Sequence, residues 1–156
     1  MRFTIFKKTY FFSRFLLLTL FLSILQPVTV KVFADNYRFS HFTMSSGLSN
    51  NSAYCLRQDY RGFMWIGTLL GGLNRYDGSK FVVYKPELKE GSISSSVIFT
   101  IYEDSRNRLW IGTDGGGLNL YNRDSDNFTS FRHDSGNPYS ISSDQVYAIL
   151  EDRNGN

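Results

Sequence analysis

The chain has 156 residues, enough for about one domain. With 42% hydrophobic and 17% aromatic residues it is too apolar to be disordered. A single cysteine, Cys55, excludes an intrachain disulfide and a cysteine zinc cluster, and His41 and His133 leave little for a histidine metal site or a catalytic triad.

The formal charge is +3, and its location matters. Residues 1–34 carry Arg2, Lys7, Lys8, Arg14 and Lys31 and no acidic residue. An apolar run from Phe15 to Leu25 follows the first basic residues. It is shorter than the ~20 residues a membrane span needs, and it fits the h-region of a signal helix. Val32-Phe33-Ala34 offers a processing site after Ala34, with an uncleaved anchor as the alternative. Either way the chain from Asp35 is expected to be exported. Removing the five basic residues of the leader leaves 12 basic against 14 acidic residues, a formal charge of −2. Clustered Lys/Arg, the usual source of affinity for a phosphate backbone, is thereby lost, and no nucleic-acid contact is expected.

Residues 35–46 read as a leading strand segment. From there the chain repeats. Asp59 to Tyr76 reads DYRGFMWIGTLLGGLNRY and Asp104 to Tyr121 reads DSRNRLWIGTDGGGLNLY, identical at 11 of 18 positions with a period of 45. A second block precedes each, GLSNNSAYCLRQD at 47–59 and SISSSVIFTIYED at 92–104, and returns as SISSDQVYAILED at 140–152. The units are therefore 47–91, 92–139 and an incomplete 140–156. Within the second unit, apolar runs at 97–103, 108–113, 118–122 and 128–132 are rich in Val, Ile, Phe, Tyr and Trp, and they predict four strands. Asp59, Asp104 and Asp152 each open a four-residue turn that ends on Gly62, Asn107 or Gly155, residues suited to positive φ. That chemistry predicts a hairpin between strands one and two. Gly72 and Gly117 mark a second tight turn. Gly67 and Gly112, inside strand two, mark a close approach of neighbours. Four antiparallel strands in about 45 residues is the blade of a β-propeller, with Trp65 and Trp110 packed between blades.

The shared positions are Asp59, Gly62, Trp65, Ile66, Gly67, Thr68, Gly72, Leu73 and Asn74 in the first unit. Their counterparts are Asp104, Asn107, Trp110, Ile111, Gly112, Thr113, Gly117, Leu118 and Asn119. This motif, with the preceding GLSNNS, resembles the two-component regulator propeller repeat over the chain from Phe39 to Asn156. The resemblance implies the N-terminal part of the periplasmic sensor of a hybrid two-component histidine kinase, homodimeric and responsive to a glycan. The 39–43 segment resembles the strand that helps close such a ring. The family's kinase parts have no counterpart in these residues, so no enzyme activity is expected of them. Two blades and the first strand of a third cannot close a ring, which needs about four, so the chain is expected to be a fragment that self-associates.

Candidate chemistry is weighed against this repeat. Paired carboxylates hydrolyse glycosides, but an Asp at the same turn of every unit has a structural task. The Asp-to-Trp spacing is one residue longer than in a sialidase Asp box. Gly115-Gly116-Gly117 lacks a following helix and reads as a turn rather than a phosphate cradle. Cys55 aligns with Thr100 and Ala148, a small strand position. No catalytic residue, metal site or cofactor is expected. The polar segments 45–52 and 92–96 connect blades and read first as solvated linkers, with a sugar-binding rim as the alternative. Two function classes remain: a ligand-sensing ectodomain, or a secreted lectin or glycan-active propeller enzyme without a kinase.

Overall fold

The computed structural model describes residues 38–155. The signal helix and the processing site at Ala34 lie outside these residues. Among the described residues no helix is long and apolar enough to cross a membrane.

Eight strands form two four-stranded antiparallel sheets in simple up-and-down order. The first holds β1 (Ala53–Gln58), β2 (Met64–Thr68), β3 (Gly72–Tyr76) and β4 (Phe81–Tyr84). The second holds β5 (Ile98–Glu103), β6 (Leu109–Thr113), β7 (Leu118–Asn122) and β8 (Asn127–Phe131). The predicted strands of the second unit differ from these by one residue at three of the four elements.

The hairpin turns have the expected chemistry. Gly62, Asn107 and Gly155 take φ of 88°, 60° and 81°. Each donates its N–H to the carbonyl of the Asp that opens its turn, at 2.9, 2.9 and 3.1 Å. Gly72 shows why the second turn requires glycine. Its φ is +82°, and a Cβ there would lie 2.2 Å from the Tyr84 carbonyl oxygen on the neighbouring strand.

The core lies where the blades face each other. Trp65 and Leu73 of the first sheet and Ile98, Ile111, Tyr121 and Phe128 of the second are buried together. Trp65 is fully buried, with its ring 4.8 Å from Tyr121 of the next blade and 5.9 Å from Tyr84 of its own. Trp110 is half-buried against Phe131. At each junction the glycine after the second strand makes a backbone bond that crosses between units. Gly72 N–H donates to the Ser96 carbonyl and Gly117 N–H to the Asp144 carbonyl, both at 2.8 Å.

Two predicted strands are not formed. The leading segment, described from Arg38, contains no ladder, and Met44–Ser46 is a 3-10 turn. Phe42 instead packs its ring against Tyr76 and Phe81. Residues 145–150 carry the pattern of a first strand but join no sheet. In both complete blades this strand pairs with the segment after the Asp turn, and the described residues contain no such partner beyond Asp152. Val146 N–H does reach the Thr113 carbonyl at 2.9 Å, so the segment is held beside β6.

Candidate functional site: the junction between the blades

The repeated Asp is the organising residue of each turn. Asp59 Oδ1 accepts the N–H groups of Arg61 and Phe63, both at 3.0 Å, and Oδ2 accepts the Trp65 indole N–H at 2.9 Å. Asp104 repeats this with Arg106, Arg108 and Trp110. Burial pushes both carboxyls up, but the indole, backbone and arginine donors outweigh it and hold both below the usual aspartate range. Asp152 opens the same turn and accepts from Asn154 N–H at 2.8 Å.

The other shared residues form a second polar knot at the opposite end of the strands. Asn74 Oδ1 accepts Ser49 N–H at 2.9 Å, and Nδ2 donates to Ser49 Oγ at 2.8 Å. Asn119 and Ser94 repeat both bonds. The Thr68 and Thr113 hydroxyls donate to the Gly72 and Gly117 carbonyls at 2.8 Å. All four of these Thr and Asn side chains are fully buried and satisfied, as buried polar groups must be. Ile66 and Ile111 are buried in the centre of their sheets, Leu73 is fully buried, and Leu118 is half-buried.

Gly67 and Gly112 are points of close approach. A Cβ at Gly67 would lie 2.5 Å from Cys55 Sγ and 2.6 Å from Ile98 Cγ2 of the next blade. Cys55 is half-buried there, and burial pushes its thiol up to about 11. His41 and His133 are both exposed and belong to different segments. The Gly115–Gly117 segment is the β6–β7 turn, with φ of 71° and 75° at Gly115 and Gly117.

The structure adds a charged junction that motif reading did not single out. Arg123 follows β7, and its guanidinium donates to Asp59 Oδ2 of the first blade and to Glu103 Oε1, both at 2.7 Å. The three side chains are only 12%, 0% and 9% exposed. Glu103 Oε2 also accepts Tyr60 N–H at 3.0 Å, and Glu151 takes Ser105 N–H in the same way at the next junction. A carboxylate just before the Asp turn of one unit thus caps the turn of the unit before it. The aligned Glu103 and Glu151 were the available signal.

Beside this network lies a cleft of about 270 Å³ lined by Arg61, Phe63, Arg75, Arg123 and Asp126. Arg75 donates to the Tyr121 hydroxyl at 2.6 Å and to Asp126 Oδ1 at 3.1 Å. Tyr84 and Tyr121 both donate to the same Asp126 oxygen. Burial and this carboxylate raise both phenols above their ordinary range. The cleft offers convergent polar groups and an aromatic wall, which suits binding.

Residues 47–69 and 92–115 match the family described as two component regulator propeller. A 58-residue stretch, 37% of the chain, is 38% identical to histidine kinase P4 of Formosa agariphila, of which it covers 4%. The fold is similar to the crystal structure of the extracellular domain of the hybrid two component system BT3049 from B. thetaiotaomicron. That match has a TM-score of 0.68 and 30% identity, and it covers 74% of this chain and 16% of that one. The chain therefore spans a small part of the length of the proteins it matches. Each of its two complete blades contains one stretch, residues 47–69 or 92–115, that matches the two component regulator propeller.

Proposed function

We propose that these blades belong to the ligand-sensing propeller of an exported, hybrid two-component receptor. The ligand is an oligosaccharide or glycan breakdown product, and the receptor acts as a homodimer at the periplasmic face of the inner membrane. The blades bind and do not catalyse, and they use no cofactor. The observation that carries this reading is the likeness of 74% of the chain to the extracellular domain of a hybrid two component system. The basic, apolar leader supports export. The formal charge of −2 beyond it argues against nucleic acid as a partner. A ligand can signal through such a receptor only by binding one of its arrangements better than another.

The test is genetic. The gene is deleted in its host, which is then grown on single polysaccharides while transcripts are measured. Loss of induction on one polysaccharide is expected, and intact induction on every one overturns the reading. Export is checked by an alkaline phosphatase fusion after Asn156, which is expected to be active.

A further inference from the structure

In a repeat protein, residues shared by the copies are those the blade requires. Positions where the copies differ in polarity are free of that requirement. The strand registers fix two such differences. Arg75 opposes Val82 in the first sheet, where Leu120 opposes Thr129 in the second. Tyr84 opposes Leu73, where Phe131 opposes Leu118. At both positions the first blade has a polar group where the second shows that an apolar one suffices. Both polar groups converge on Asp126.

Stability does not account for this exchange. A partly buried ion pair contributes little beyond an apolar residue of similar size. The Arg75 side chain is 20% exposed, and its guanidinium carbon stands 5.2 Å from the Phe63 ring centre and 5.7 Å from those of Trp65 and Tyr84. Among the described residues only Nη1 is used, and Nε and Nη2 have no hydrogen-bond partner there. Asp126 is half exposed and takes three donors on Oδ1, with no partner on Oδ2 among the described residues. Arg61 bonds Tyr60 through Nε, and its terminal nitrogens have no partner among the described residues at the same mouth.

A fork of donors beside a carboxylate oxygen, with the Phe63 ring as a wall, matches a vicinal diol on a sugar ring. Each hydroxyl of a diol donates one bond and accepts another, so it uses both kinds of group. The volume, about 270 Å³, lies just below the range of drug-sized pockets and fits a ligand of one or two rings. A strongly anionic ligand is not favoured, because the cleft's three arginines are balanced by Asp126, which pairs with Arg75, and by Asp59 and Glu103, which pair with Arg123. We infer that the Arg61–Arg75–Asp126 cleft between the blades is a binding subsite for a neutral pyranose. This inference rests on the glycan-sensing reading and gives it a location.

The experiment is affinity electrophoresis of the full chain through gels containing neutral xylan, mannan, arabinan or β-glucan, with a parallel gel of acidic polygalacturonate. R75L installs the residue the second blade already carries, and D126N preserves shape, so both are expected to fold. A thermal melt of each checks this. Retardation by a neutral polysaccharide is expected, weakened at least about tenfold in R75L and D126N, the effect of losing hydrogen bonds to charged groups. Unchanged retardation in both variants overturns the subsite and leaves the sensor reading standing. Retardation by polygalacturonate alone overturns the choice of a neutral sugar. No retardation in any gel overturns the glycan reading together with the subsite.

Discussion

Asp59 carries out three tasks with two oxygens: it caps its own turn, fixes the Trp65 indole and pairs with Arg123 of the next blade. Trp65 depends on that oxygen, because a fully buried indole N–H without a partner is costly. Trp65→Ala removes a fully buried ring and is expected to cost about 3–5 kcal/mol in urea unfolding. Trp110→Ala, at the half-buried counterpart, is expected to cost clearly less, and equal losses would contradict the packing described above. The aspartates also set the response to acid. Their carboxyls titrate below the ordinary value when folded, so the unfolded chain takes up protons first. Their stabilisation is full above the unfolded value of about 3.9 and is lost as the pH falls below it toward the folded values. Asp59→Asn is expected to lower stability at neutral pH and flatten this acid limb, with Asp104 supplying what remains. Urea midpoints measured from about pH 6 down to pH 2.5 check this, and an unchanged acid slope in the variant would count against it.

At the scale of the element, each blade is a meander whose glycines record how closely its neighbour approaches. Gly67→Ala would place a methyl group against Cys55 Sγ and Ile98 Cγ2, and Gly112→Ala would place one 2.6 Å from the Val146 carbonyl oxygen. Overpacking of this kind costs about 1–3 kcal/mol. Cys55→Ala is expected to recover part of the loss in the Gly67→Ala background, because Sγ is the nearest of the three atoms in the way. Differential scanning calorimetry of the two single variants and the double variant measures the recovery, and strict additivity would exclude the contact. These glycines, the Asp turns and the Trp strands were legible in the sequence because they recur, and recurrence separates what the blade needs from chance. Residues 145–150 have the same pattern yet form no strand, since a ladder requires a partner that local pattern does not supply. The contacts of Arg75 and Arg123 were not legible for the opposite reason. Each occurs once, and their partners lie 51 and 64 residues away in sequence, beyond the reach of periodicity.

At the scale of the molecule, stability in a repeat protein is a sum of intrinsic blade terms and coupling across each junction. The first junction combines three kinds of coupling: the Trp65–Tyr121 contact, the Gly72–Ser96 backbone bond, and the Arg123–Asp59–Glu103 network. The backbone bond and the carboxylate cap recur at the next junction through Asp144 and Glu151. Arg123 tests how much of the coupling is ionic. Arg123→Ala leaves Asp59 and Glu103 facing each other without their shared cation, and removing one partner of a buried pair costs about 3–5 kcal/mol. A loss confined to one blade would shift the urea midpoint and leave the slope alone. Weakened coupling lets the blades unfold separately, so the apparent slope falls as well, because less surface is exposed in each step. Both changes are expected for Arg123→Ala. Exposed Arg106, one residue before the left-handed Asn107 of the second turn, is the control, and its replacement by Ala is expected to alter neither. An Arg123→Ala chain with unchanged slope and midpoint would assign the coupling to the aromatic contact and the backbone bond alone.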